Sequence, residues 1–125
     1  MQKVTLEVEV EKYISIVTLS VKRESRVIRR NYQVVRNNDS LNLAYVKCIK
    51  EGLKHIIEPV SLIFKLKAGY VTISLQSVEK WRKNGFLNKS GKEIKYAKEW
   101  KEIAEMLAIH EYEVEFKKKE DKEID

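Results

Sequence analysis

Residues 39–67 read DSLNLAYVKCIKEGLKHIIEPVSLIFKLK, a helical pattern that leads directly into an alternating strand. Asp39 or Ser40 can cap the helix, which we expect to run to about Ile57 and to end at Pro59. Residues 60–67 then alternate apolar and polar side chains, as a strand with one buried face does. Because a helix leads into it, this strand is predicted to lie parallel to the first strand of the chain.

Three strands are predicted before this helix. Residues 4–10 alternate valine or leucine with polar residues, Tyr13 to Lys22 is rich in β-branched residues, and Arg26 to Arg36 alternates again. The connections between these runs are short, so the simplest pairing is an antiparallel meander.

Two further helices and a last strand are predicted after residue 67. Helical patterns cover about Gly69 to Asn84 and about Ile94 to Leu107, and residues 111–116 alternate as a strand. The predicted order is therefore β-β-β-α-β-α-α-β, an α/β (α+β) fold with a five-stranded mixed sheet. We expect a single domain over residues 1–116 and a charged C-terminal tail over residues 117–125.

Clean alternation in strands one, four and five predicts that helices cover mainly one face of the sheet. A strand buried on both faces would read as a continuous apolar run instead. The open face would carry columns of charge, with the lysines of strand four between two acidic columns. The residues concerned are Glu7, Glu9, Lys65, Lys67, Glu113 and Glu115.

The composition indicates a globular protein with an anionic partner. The chain has 125 residues, of which 43% are hydrophobic and 35% charged, and its formal net charge is +6. A single cysteine, Cys48, excludes an internal disulfide and fits a reducing compartment. No apolar run reaches the roughly 20 residues of a membrane span, and the N-terminus does not resemble a signal peptide. We therefore expect a soluble, cytoplasmic protein with no membrane partner.

Residues 80–101, which we call the basic handle, combine eight lysines and arginines with only two glutamates. Trp81 and Phe86 bracket a turn through Asn84-Gly85. Cations in such a segment bind phosphates without reading bases, and the aromatic rings would also pack the handle onto the domain. The candidate nucleic-acid-binding residues are Trp81, Arg82, Lys83, Asn84, Phe86, Lys89, Lys92 and Lys95. The basic residues from Arg82 to Lys95 are expected to line one exposed ridge that Trp81 and Phe86 support. A second, less specific basic cluster lies on the predicted hairpin of strands two and three: Lys22, Arg23, Arg26, Arg29 and Arg30.

The order of elements, the basic handle and two shorter motifs resemble the ribonuclease H family. Residues 38–43, Asn-Asp-Ser-Leu-Asn-Leu, resemble the family segment that opens the first helix. Residues 62–71, Leu-Ile-Phe-Lys-Leu-Lys-Ala-Gly-Tyr-Val, resemble its fourth strand and the following turn. The resemblance implies that three family metal-ligand positions fall at Glu9, Asn42 and Lys67.

The resemblance also determines what we expect of catalysis. The family uses two Mg²⁺ ions held by clustered carboxylates, and only Glu9 of the three matched positions is a carboxylate. We therefore predict no catalytic residue, no bound metal, no cofactor and no enzymatic activity.

The predicted function is that of a catalytically inactive ribonuclease H-like domain. It would bind an RNA–DNA hybrid or double-stranded RNA through the basic handle, by shape and 2′-hydroxyl contacts. One alternative is a protein-interaction or dimerisation module that uses the open sheet face. A second alternative is a weak, divergent metal-dependent ribonuclease.

Overall fold

The computed structural model describes residues 1–116, and the predicted charged tail, residues 117–125, lies outside the described residues. The described elements follow the predicted order, and their bounds are β1 (Lys3–Val10), β2 (Ile14–Arg23), β3 (Arg26–Val35), α1 (Leu41–Lys54), β4 (Ser61–Leu66), α2 (Gly69–Asn84), α3 (Ala97–Leu107) and β5 (Glu111–Phe116).

The five strands form one mixed sheet in the order β3-β2-β1-β4-β5. The first three strands pair antiparallel as a meander. Strand β4 lies parallel to β1, and β5 lies parallel to β4. The predicted mixed sheet is therefore confirmed, and the helix-connected strand does lie beside β1.

All three helices pack against the same face of this sheet. Leu6, Val17 and Phe64 point to that face and are fully buried. Ile49 of α1 and Trp100 of α3 are also fully buried in the same cluster. Burial of one face and polarity on the other explain the alternation in the sequence, and the expectation of helices on one face is confirmed.

The open face carries the predicted alternation of charge. Lys65 of β4 is paired in register with Glu7 of β1 on one side and with Glu115 of β5 on the other. Opposite charges in such cross-strand positions contribute about 0.2–1 kcal/mol each. Further along the same row, the Thr18 hydroxyl donates to the Asn31 side-chain oxygen at 2.8 Å.

Helix α1 begins where predicted but ends earlier. The Ser40 side chain accepts a hydrogen bond from the Leu43 backbone N–H, so Ser40 is the N-cap. Asp39 instead pairs with Lys47 at 2.8 Å. The helix closes with the His55 backbone N–H bonded to the Gly52 carbonyl, so it ends at Lys54 and not near Ile57 as expected.

Helix α3 also starts later than predicted, at Ala97 instead of Ile94. Tyr96 has a φ of 60°, in the left-handed region, so the helical backbone can begin only after it. Within residues 1–116, none of the helices has the length and apolar character needed to cross a membrane.

Candidate nucleic-acid interface

The basic handle is anchored by the C-terminus of α2. Gly85 adopts a φ of 80°, which glycine reaches without strain, and the helix ends there. The Asn84 side chain both donates to the Leu87 carbonyl and accepts from the Leu87 N–H, each at 3.2 Å. The Asn-Gly pair therefore fixes the direction in which the chain leaves the helix.

Three aromatic rings connect the handle to the core. The Trp81 ring lies 6.4 Å from Phe86 and 5.8 Å from Trp100, measured between ring centroids. Trp100 is completely buried and Phe86 is 9% exposed, whereas Trp81 is half-buried. The expected packing role of these rings is confirmed, and it gives the handle a rigid base.

The rest of the handle is a short loop held by its own polar groups. The Asn88 side-chain oxygen accepts hydrogen bonds from the backbone N–H groups of Ser90 and Lys92, at 2.9 and 3.1 Å. The backbone also forms an isolated bridge between Leu87 and Glu93. The Lys101 ammonium pairs with Glu93 at 3.0 Å, and the other contacts that fix the loop use no lysine ammonium group.

Four candidate lysines lie exposed along this loop and the adjoining turn of α2: Lys83, Lys89, Lys92 and Lys95. The Lys95 ammonium lies 5.2 Å from the centre of the Tyr96 ring. One of them, Lys89, lines a groove of about 410 Å³ together with Lys80, Trp81, Asn84, Leu87, Asn88 and Ile94. Cations and an aromatic edge therefore share one concave surface.

Arg82 departs from the expectation of an exposed ridge. Its guanidinium donates to the Ala104 backbone carbonyl of α3 and pairs with Glu79 of its own helix. The side chain is 29% exposed. Arg82 therefore joins α2 to α3, and the prediction that it lies on the exposed ridge is wrong.

A second concave region lies where β1 and β4 end. This cleft has a volume of about 420 Å³ and is lined by Glu7, Val8, Glu9, Val10, Thr18, Tyr45, Lys65 and Lys67. Two of the three predicted family positions, Glu9 and Lys67, therefore share the cleft. Asn42 is not among its lining residues, and α1 contributes Tyr45, three residues further along the same helical face.

Tyr45 is a residue of the cleft that the sequence reading missed. Burial is the main reason that the pKa of its hydroxyl is raised, and the charges of Cys48 and Glu9 raise it further. Tyr45 lies three residues after Asn42, so the two residues share a helical face, and this spacing could have indicated that Tyr45 faces the cleft. The hydroxyl stays protonated at neutral pH, so it can donate a hydrogen bond at the cleft wall.

The two-metal centre implied by the family resemblance requires clustered carboxylates. Within residues 1–116, no three histidine, cysteine, aspartate or glutamate side chains are grouped so that they could hold a metal ion. The cleft instead combines two carboxylates with two ammonium groups. A lysine ammonium group has no lone pair with which to bind a metal ion, and it competes with the metal ion for the carboxylate oxygens. The described residues alone therefore do not fit a two-metal centre.

The sheet order and the helices on one face are those of the ribonuclease H-like fold. A curated relative supports this by sequence: the ribonuclease H of Caldicellulosiruptor saccharolyticus is 27% identical over 90 residues. The match covers 70% of this chain and 62% of that protein, so the chain spans less than two thirds of its relative. No family model matches the chain.

Solved structures show the same fold. LC9-RNase H1, a type 1 RNase H with the type 2 active-site motif, superposes with a TM-score of 0.75 and 16% identity over 94% of this chain and 64% of its own. The PFV RNase H domain superposes with a TM-score of 0.65 and 19% identity, over 91% of this chain and 78% of its own. The foamy viral protease-reverse transcriptase in complex with RNA/DNA hybrid superposes with a TM-score of 0.70 and 16% identity. The superposition covers 92% of this chain and 17% of that chain. These superpositions show that the chain has the ribonuclease H-like fold.

These relationships overturn one prediction. The chain was expected not to be an enzyme, and this is wrong in light of the curated relative, which is named for the enzyme ribonuclease H. The presence of Asn42 and Lys67 at positions matched to metal ligands is therefore not sufficient to predict that the chain lacks enzymatic activity.

Proposed function

We propose that the chain binds duplex nucleic acid, an RNA–DNA hybrid or double-stranded RNA, with the basic handle along the phosphate backbone. The observation that carries the proposal is the exposure of Lys83, Lys89, Lys92 and Lys95 on a loop fixed by other groups. Because these ammonium groups do not hold the loop together, they are available to an anionic ligand.

The binding mode follows from the chemistry of the handle. Lysine ammonium groups neutralise phosphates and release counterions, which gives affinity that falls steeply with salt but carries no base sequence. Discrimination between duplexes would come from shape and from 2′-hydroxyl groups across a wide minor groove. A structural neighbour in complex with RNA/DNA hybrid supports this choice of ligand.

A binding screen with a charge-matched control tests the proposal. Wild type is titrated with hybrid, duplex RNA, duplex DNA and single-stranded RNA across a range of salt. The test variant replaces Lys89 and Lys92 by glutamine, and the control replaces Lys12 and Lys54, which are exposed elsewhere. We expect the test variant to flatten the plot of log affinity against log salt by about 2 units. Equal behaviour of test and control variants would reject the handle as the binding surface.

A second candidate function is metal-dependent hydrolysis of a bound strand, and the name of the curated relative favours it. Glu9 in the cleft is the residue we would assign to it, because it is the carboxylate at a position matched to the family. The test is incubation of labelled hybrid with highly purified protein and Mg²⁺ or Mn²⁺. Cleavage that Glu9→Gln abolishes would establish this function. Absence of cleavage at all metal concentrations would exclude it.

A third possibility is that the open sheet face docks a protein partner or a second copy of the chain. Its row of Glu115, Lys65 and Glu7 is charged, which argues against a dry interface. The molar mass in solution, measured by light scattering at low and high salt, tests self-association directly.

We also propose a cytoplasmic location. This proposal rests on the single cysteine, Cys48, which is buried and free.

A further inference from the structure

The arginines of this chain are concentrated in one hairpin. The chain uses lysine for 19 of its 25 cationic residues, and it has six arginines. Four of these six fall between residues 23 and 30: Arg23, Arg26, Arg29 and Arg30. A general need for positive charge would not place arginine so selectively in one segment.

The other two arginines have structural partners. Arg36 donates to the backbone carbonyls of Asp39 and Glu11, at 3.1 and 3.0 Å. Arg82 donates to the Ala104 carbonyl and pairs with Glu79. Outside the hairpin, therefore, the chain uses arginine where several directed hydrogen bonds are needed.

The hairpin arginines have no carboxylate partner among residues 1–116. All four are exposed, and none forms an ion pair with a described carboxylate. Arg23 donates to the Gln2 side chain at 3.5 Å, and Arg30 to the backbone carbonyl of Arg29 at 3.3 Å. Most of their donor groups therefore face solvent.

The geometry of the hairpin forces these charges together. Strands β2 and β3 are joined by the two-residue turn Glu24-Ser25, and Arg23 lies directly opposite Arg26. Like charges at opposed positions destabilise a sheet. A single lysine or a short edge strand protects a sheet edge from pairing, so edge protection does not require this arrangement.

Arginines occupy both faces of the hairpin. Arg29, paired with Ser20, lies on the open face of the sheet, whereas Arg30, paired with Leu19, lies on the opposite face. The two faces therefore present guanidinium groups to a ligand that reaches around the ribbon. The planar guanidinium binds phosphate oxygens through paired hydrogen bonds, which lysine cannot do.

We infer that the tip of the β2–β3 hairpin is a second phosphate-binding surface, whose ligand is the backbone of a nucleic-acid duplex. The nature of the ligand rests on the proposed function, whereas the surface itself rests on the arginines. Arg23 lies seven residues beyond Ile16, the partner of Glu9, so the tip is roughly 23 Å from Glu9 at about 3.3 Å per residue. A change at the tip therefore does not touch Glu9 directly.

The test compares three variants that each remove two positive charges. They are Arg26→Gln with Arg29→Gln in the hairpin, Lys89→Gln with Lys92→Gln in the handle, and Lys12→Gln with Lys54→Gln as control. Glutamine keeps the edge strand polar, and circular dichroism verifies folding. On an RNA–DNA hybrid we expect the hairpin variant to weaken binding about tenfold or more at low salt and to reduce the salt slope by about 2. Arg26→Lys with Arg29→Lys should keep the slope but weaken binding.

The outcomes separate this inference from the proposed function. If the hairpin variant matches the control while the handle variant loses affinity, the hairpin is not a binding surface and the handle proposal stands. If the hairpin variant loses affinity and the handle variant matches the control, the hairpin stands and the handle proposal fails. Failure of wild type to bind any duplex overturns both, as does a hairpin effect confined to anionic vesicles or acidic proteins.

Discussion

Gly52 lies at the point where α1 approaches the sheet most closely. A methyl group at its Cα would come within 2.9 Å of side-chain carbons of both Leu6 and Val17. Both side chains are fully buried, so neither can move aside freely. The glycine therefore sets how deeply α1 packs against β1 and β2, although glycine is a poor helix former.

Gly52→Ala should lower the free energy of unfolding by about 1 kcal/mol. The helix gains about 1 kcal/mol from the better propensity of alanine, and overpacking of the core costs about 1–3 kcal/mol. Urea denaturation followed by circular dichroism measures the difference. Gly69→Ala is the matched control, because its nearest neighbour would be 4.0 Å away, at Phe116. A destabilisation of the same size in the control would contradict the packing argument.

His110 should make the protein sensitive to mild acid. Desolvation by burial lowers the pKa of its imidazole below the usual value of 6.5, and its Nδ1 accepts a hydrogen bond from the Val60 N–H. Below pH 6.5 the His110 imidazole therefore binds a proton more readily in the unfolded chain than in the folded chain. The stability contribution is complete above pH 6.5 and is lost as pH falls through the lower folded-state pKa.

His110→Asn removes this titration while its side-chain oxygen can still accept from Val60. We expect the variant to lose less stability than wild type between pH 7 and pH 5, as measured by urea denaturation at each pH. His55→Asn serves as a comparison, since His55 pairs with Glu51 at the helix surface. If wild type and His110→Asn follow parallel curves, the histidine does not titrate with folding.

At the scale of elements, the handle consists of a helix end, a loop and a helix start joined by specific side chains. Arg82 joins α2 to α3 through the Ala104 carbonyl. Trp81 lies between Phe86 on the loop and Trp100 on α3. The exposed lysines are therefore presented by a frame that itself uses one arginine and three aromatic rings.

Arg82→Gln should change stability and leave the salt dependence of binding unchanged. The guanidinium is engaged with a backbone carbonyl and with Glu79, so it is not available to a phosphate. Loss of the contact to Ala104 should cost about 1 kcal/mol of unfolding free energy. A thermal melt and a salt titration with hybrid check the two parts. A reduction of the salt slope by about 1 would show that Arg82 contacts phosphate after all.

The two tryptophans should differ in their effect on stability. Trp100 is completely buried, so Trp100→Ala should cost about 3–5 kcal/mol. Trp81 is half-buried, so Trp81→Ala should cost about 2 kcal/mol and chiefly loosen the handle. Denaturant titration gives the two values, and hydrogen exchange of the loop shows whether the Trp81 effect is local. Equal losses would mean that Trp81 belongs to the central core.

At the scale of the whole molecule, the sheet separates an apolar face from a face with ordered charge. The parallel pairing of β4 with both β1 and β5 brings Glu7, Lys65 and Glu115 into one row. These residues are distant in sequence, and the row exists only because β4 lies between the other two strands.

Lys65→Glu should destabilise the sheet by roughly 1–2 kcal/mol, since it replaces two favourable cross-strand pairs with repulsion. The loss should shrink in high salt, because ions screen exposed charges. Unfolding in urea at low and high salt measures both effects. Lys89→Glu is the matched control, because Lys89 is exposed on the loop of the handle, outside the sheet. An equal loss in the control would rule out the row as the cause.

The sequence by itself determined the element order, the mixed sheet and the open face. These follow from local patterns: alternation in residues 4–10 and 60–67, a capped helix between them, and short turns. Each pattern depends on which side of one element is apolar, and neighbouring residues carry that information. The handle was also found this way, because its basic residues and its Asn84-Gly85 turn are contiguous.

Only the tertiary structure decided which of those residues are free to act. Arg82 and Lys89 look alike in sequence, but packing of α2 against α3 ties the former to the Ala104 carbonyl and leaves the latter exposed. Tyr45 joined the cleft, and Asn42 did not, because the rotation of α1 on the sheet decides which turn faces Glu9. Contacts between elements far apart in the chain depend on distances that no local pattern encodes.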